Sequence, residues 1–243
     1  MNLIFAIGTL TLLGLMYWGA YFNGKEIKSI QIRGNLLLQF PEFLFKLVLL
    51  GLCLGLASTY TMARTERVFG WPPKNFGIEL VLGVVIGLVV QYSVNFLSGL
   101  AIRIWGPQIY SPIIMKNVVP RKFSEWVLIL IPLLLAVAVE EVLFRALAVG
   151  GFSSLINPWI MAVGSSILFG MVHVPQGKLG MALTGLVGFI FAAVFIITSS
   201  LLVVISAHYV INLLQLAKAG EEENWLKRFS PPAKAENKPE AEQ

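Results

Sequence analysis

The chain contains no aspartate, one cysteine and two histidines among its 243 residues, and only 13% of its side chains are charged. Each shortage excludes something. Without aspartate, a paired-aspartate membrane protease is impossible. A single cysteine, Cys53, rules out an internal disulfide framework, and its place inside an apolar run reads as a small buried side chain. A soluble domain carries about 25% charged residues, so most of this surface does not face water. The helical zinc motif HExxH is absent. The nearest approach to a GxSG serine motif, FLSG at 96–99, lacks its first glycine.

Apolar residues are abundant instead, at 57% of the chain with a mean hydropathy of +0.79. They fall into seven runs, about 2–22, 40–62, 77–101, 126–149, 155–174, 180–198 and 200–217. Most approach or exceed the ~20 residues that a spanning helix needs. The pattern predicts an all-α polytopic membrane protein with about seven, or eight, transmembrane helices. The first run has no basic leader and no small-residue cleavage site, and reads as a retained helix. No short unit repeats, which excludes a solenoid.

Three regions are expected. Residues 1–125 supply N-terminal helices and an interfacial connection, in which Trp105 and Tyr110, followed by Trp126, suit an aromatic belt. From 126 to 218 polar residues move inside the helices. The stretch 219–243 is a polar tail, expected to be disordered because it lacks apolar periodicity. The net charge of +5 reads as membrane orientation and not as nucleic-acid binding. Seven spans with a cytoplasmic C-terminus place thirteen basic residues inside and three (Arg64, Arg67, Lys74) outside. The expectation is a multi-pass protein of a prokaryotic cytoplasmic membrane with its C-terminus in the cytoplasm.

Some intramembrane polar residues have ordinary readings. Glu42 and Lys46, four apart at the edge of the second run, can snorkel to headgroups, and so can Glu79 at the start of the third. Gln91 and Asn95 can bond between helices. The stretch LLLAVAVEEVLFRALAVGG, 133–151, is different, because it puts Glu140, Glu141 and Arg145 deep in an apolar run. A charge at a helix centre costs about 3 kcal/mol even on a lenient scale. Glu141 and Arg145 lie one turn apart with the acid first, the better order for an ion pair. Glu140 projects about 100° away round the helix and has no such cation, which leaves it free to act as a general base.

Both histidines also lie in later spans. FGMVH sets His173 one turn after Phe169, and HYVIN sets Asn212 one turn after His208. Asn157-Pro158 reads as the cap and first residue of the fifth helix. If the fourth helix continues to about 156, Glu140 and His173 share a depth of roughly 24 Å from that turn. His208 is then shallower, ~13 Å past the turn at Ser199-Ser200. Gly150-Gly151 offers an earlier end to the fourth helix.

EEVLFR, FGMVH and HYVIN, in this order and spacing, resemble the CPBP family of CAAX proteases and bacteriocin-processing enzymes, also called ABI proteins. Its pattern is EExxxR, FxxxH and HxxxN on separate membrane helices, and residues 140–212 match all three. Ala146 stands where glycine often follows the arginine. The resemblance implies an intramembrane endopeptidase, similar to type II CAAX prenyl endopeptidases, acting on a membrane-anchored or lipidated peptide or protein. Glu140, His173, His208 and Asn212 are the expected catalytic residues, with Glu141, Arg145 and Phe169 supporting them. Glu140 activates a water that His173 positions, and His208 and Asn212 face the oxyanion. A metal-free site is favoured, with Glu140, His173 and His208 as ligands should zinc bind. The rival class is a non-catalytic membrane protein: a self-immunity factor, a scaffold or a proton-coupled transporter.

Overall fold

A computed structural model describes residues 3–26, 34–60 and 68–227. Arg64, Arg67 and the end of the polar tail lie outside them. All regular structure among the described residues is helical. In chain order the helices are α1 Leu3–Glu26, α2 Phe40–Ser58, α3 Phe76–Trp105, the short α4 Ile113–Val118 and α5 Phe123–Leu128, then α6 Leu130–Glu141. A π-helix, Val142–Gly150, continues α6, and α7 Pro158–Met171, α8 Gly177–Thr198 and α9 Leu201–Lys227 complete the bundle. Six segments are long and apolar enough to cross a bilayer, and α7 is a shorter apolar helix. The protein is an integral multi-pass membrane protein, with a helix count near the seven expected.

Local chemistry sets the breaks. Pro132 cannot donate a backbone bond, so the chain stops α5 at Leu128 and restarts at Leu130. Asn157 caps α7, its side chain accepting from Trp159 N at 2.9 Å with Pro158 at the first helical position. Asn75 caps α3 in the same way, accepting from Ile78 N. Glu79, in the first turn of α3, has protein partners. Its carboxylate accepts from Lys74 N and Asn75 N and from the hydroxyl of Ser200, which ties the start of α3 to the start of α9. A terminal carboxylate at a helix N-terminus satisfies free N–H groups that lipid cannot. α9 continues to Lys227, past the point where the polar tail was expected to begin.

The two apolar faces that matter most to the site are close-packed. Ideal Cβ atoms on Gly83 and Gly87 would fall within 2.5 Å of Val203 O and 2.6 Å of Ala207 O, so the two glycines let α3 lie directly on α9. Gly150 is similarly tight, since a Cβ there would meet Val68 O at 2.0 Å. One core joins early and late parts of the chain: Phe5, Leu12, Leu49, Cys53 and Val90 share it with Leu143, Phe144, Phe169, Phe191 and Ala207.

The fourth apolar helix ends at Gly150 and does not run on to 156. Residues 151–156 are turns, and the preceding nine residues wind as a π-helix closed by a bond from Gly151 N to Ala146 O. Depths change accordingly. Glu140 lies ten residues before Gly150, and nine of those wind more widely than an α-helix, so it lies less deep than the ~24 Å expected from a turn near 156. The depth shared by Glu140 and His173 loses the basis it was given, since it was counted from a helix running to 156, but Glu140 and His208 do meet, with Oε2 and Nε2 3.7 Å apart.

Candidate active site

Glu140 and Glu141 are the last residues of α6, and the wider winding begins immediately after them. π-turns are uncommon and recur at functional sites. Here the segment carries Arg145 back beneath Glu141, with Nε 3.1 Å from Oε2 and both side chains fully buried. The guanidinium also donates to Gly188 O at 3.2 Å. It lies over the Phe169 ring, 4.6 Å from its centroid, and 5.6 Å from that of Phe191. The ion pair expected from spacing alone is present. Its removal from water is compensated by aromatic faces as well as by the carboxylate.

Glu141 has a second partner that spacing could not reveal. Its Oε1 stands 2.6 Å from His208 Nδ1 on α9. A carboxylate only accepts, so Nδ1 carries the proton and Nε2 is turned the other way. Nε2 faces Glu140 Oε2 at 3.7 Å. Arg145, Glu141 and His208 therefore form a chain that fixes one imidazole tautomer and points its free edge at Glu140. Glu140 lacks a cation on its own helix, as expected, but it has this cross-helix neighbour. It is about a quarter exposed, whereas Glu141 is sealed.

His173 follows the end of α7, one residue before a short 3₁₀ turn, Val174–Gln176. Its Nδ1 lies 2.7 Å from Phe169 O. The carbonyl can only accept, which leaves Nε2 unprotonated when the ring is neutral. The Phe169 ring sits between the two imidazoles, 4.8 Å from His173 and 6.1 Å from His208. The turn after His173 is held by the interfacial stretch: Ser111 N donates to Gln176 O at 2.9 Å. Gly177 adopts φ +81°, open to glycine at no steric cost, and a Cβ there would meet Ile109 O at 2.9 Å. Trp105 remains exposed in keeping with an interfacial position, but Tyr110 is turned to line the cavity and Trp126 packs against the cluster formed by Leu37, Val118, Ile129, Leu133 and Leu216.

Glu140, His173, His208 and Asn212 all border one cavity of about 320 Å³, at the small end of ligand-pocket volumes. Phe169 lines it too, while Glu141 and Arg145 stand behind the wall. All four expected catalytic residues are thus brought to one space. Residues that the motifs do not name also line it: Lys46 and Glu42, which form an ion pair with each other, and Asn95, Ser98 and Gln215. Sequence reading gave the first pair to the headgroups. The side chains of Gln91 and Asn95 bond to one another along α3 and not between helices. The one available signal was their polarity within an apolar run. Among the described residues, no group of three His, Cys, Asp or Glu side chains is placed to hold a metal ion. His208 Nδ1 is committed to Glu141, which orients Nε2 for use as a base, a donor or a metal ligand.

Residues 122–214 match the family model described as Type II CAAX prenyl endopeptidase Rce1-like. All seven of the motif residues fall within the match, so the family resemblance read from the three motifs is borne out. No curated protein and no solved structure matches the chain.

Proposed function

Taking residues 122–214 as an Rce1-like domain of a CAAX prenyl endopeptidase family, we propose that the protein hydrolyses a peptide bond of a lipidated or membrane-anchored substrate with a water activated by Glu140. The observation that carries this reading is the 3.7 Å between Glu140 Oε2 and His208 Nε2 at the edge of a cavity inside the bundle. That separation is too long for a direct hydrogen bond and suits a water shared by both groups.

In this mechanism Glu140 takes the proton of the shared water, which attacks the scissile carbonyl. His173 holds the water through its Nε2, the ring being locked by Phe169 O. Negative charge then develops on the carbonyl oxygen, where Asn212 donates, and His208 donates from Nε2 when the ring enters the reaction as an imidazolium that already carries both ring protons. Each preorganised donor of this kind is worth about 3–4 kcal/mol in a water-poor site. Glu141 holds the His208 ring through Nδ1, and Arg145 pairs with Glu141. Glu140 finally returns its proton to the leaving amine. Two imidazole nitrogens and a carboxylate would be the donors for zinc, but they do not form a three-ligand set, and no step passes through a metal.

The substrate has to bring its peptide into a space walled by membrane helices. A prenylated or otherwise lipidated terminus does so without a soluble recognition domain, and the C-terminus of this chain is proposed to face the same cytoplasmic side. The test compares one peptide with and without its lipid, in liposomes containing wild type or Glu140→Gln, with products identified by mass spectrometry. Cleavage of the lipidated form by wild type alone is expected. Equal cleavage of both forms would remove the membrane-delivered substrate, and equal cleavage by the variant would remove Glu140 as the base.

A further inference from the structure

Gln91 and Asn95 lie one turn apart on α3, and Gln91 Nε2 donates to Asn95 Oδ1 at 2.9 Å. That bond leaves Asn95 Nδ2 and Gln91 Oε1 buried without a hydrogen-bond partner. An orphaned amide is costly in any interior and more so within a membrane, where no bulk water can satisfy it. As placed, the spare atom of Asn95 is a donor, suited to a peptide carbonyl; exchanging N and O in both amides would make it an acceptor, suited to a peptide N–H. If the pair existed only to hold helices together, each amide would reach a neighbouring helix, and neither does.

Asn95 lines the cavity that holds Glu140, His173 and His208. Its level in that cavity follows from the register of α3 on α9, which run parallel. Glu79 bonds Ser200, Gly83 lies against Val203 and Ser206, and Gly87 lies against Ala207 and Val210. His208 is therefore level with Gly87. Asn95 is eight residues further on, roughly 12 Å at 1.5 Å per residue. Gln215, one of the cavity-lining residues, falls at the same level by this register. An extended peptide covers that distance in about four residues.

Building on the endopeptidase reading, we propose that Asn95 is a substrate-positioning residue whose spare Nδ2, closed to solvent in this structure, turns toward the bound peptide and donates to a backbone carbonyl about four residues from the scissile bond. A backbone partner lets the contact set register along the cavity without selecting a side chain. It also gives the motif-free α3 a defined part in the site, because Asn95 lies outside the matched residues 122–214. The contact is made equally in the ground and transition states, so its loss raises KM and leaves kcat in place.

The experiment uses full-length protein in liposomes and a lipidated peptide that wild type cleaves, with the double variant Gln91→Leu, Asn95→Leu. Removing both amides together avoids stranding one of them. A KM raised about tenfold, with kcat unchanged and Tm unchanged or higher, is the expected result, tenfold being what one lost hydrogen bond of ordinary strength gives. An unchanged KM overturns the proposal, and so does a raised KM accompanied by a lower Tm, which would assign the pair to helix packing. Absence of cleavage by wild type overturns the endopeptidase reading and this proposal with it.

Discussion

The helices from α5 onward and those before it line the same cavity by different means. In the later helices the groups around the motif residues are tied to one another, Arg145 to Glu141 and Gly188 O, Glu141 to His208, His173 to Phe169 O, although Arg145 Nη1 is also buried without a hydrogen-bond partner. The earlier helices contribute apolar side chains such as Val94 and Ile102, a self-paired Glu42 and Lys46, and an amide pair with spare atoms. Chemistry needs groups held in one direction, and pairing with neighbours provides it. A wall that only receives substrate can leave a hydrogen-bonding atom unspent until the peptide arrives.

The contrast is sharpened most by Glu140→Gln. Loss of a general base is expected to lower kcat about 10³-fold with little change in thermal unfolding, since Glu140 is part-exposed and makes no short contact. A normal rate in single-turnover cleavage would move the base elsewhere. Arg145→Ala should act in the opposite sense, on folding before chemistry. It strands Glu141 as a buried charge and is expected to cost about 3–5 kcal/mol of stability, measured by unfolding in detergent. A loss below ~1 kcal/mol would mean that Glu141 is satisfied by His208 alone.

On the other side of the comparison, Gly87→Leu forces α3 away from Ala207 O, where even a Cβ would sit at 2.6 Å. Overpacking of this kind costs about 1–3 kcal/mol, and it should lower activity as well because α9 carries His208. Retained activity and stability would show that α9 does not depend on α3 for its position. The double variant Glu42→Gln, Lys46→Met is expected to shift stability by less than ~1 kcal/mol, as for other solvent-reachable pairs. A larger loss, read from the same unfolding curves, would give the pair a structural role. The smallest effect is expected from prolonged chelation, which should leave cleavage unchanged. Loss of activity restored by zinc alone would overturn the metal-free mechanism.

The motif residues were legible because their types are improbable in hydrocarbon. Two acids, an arginine and two histidines stand out from an apolar background, and their order and spacing pointed to one family. The Glu141–Arg145 pair follows from helix periodicity, and the cap at Asn157 from its Asn-Pro signature. Asn95 was equally visible as a polar residue, but its neighbours could not be guessed. Nothing in the spacing of α3 distinguishes an amide that bridges helices from one that faces a cavity.

What the sequence determined by itself was the solvent and the chemistry: apolar runs long enough to need lipid, and ionisable groups too costly to place there without a use. The tertiary structure decided which atoms meet. Hydropathy averages over a run, so it could not detect that the helix changes winding at Val142 and stops at Gly150, where Val68 O leaves no room for a side chain. Nor could it show that Glu140 Oε2 and His208 Nε2 lie 3.7 Å apart. The hydrogen bond from His208 to Glu141 joins residues 67 apart in sequence, and only the packing of α9 against α6 could have paired them.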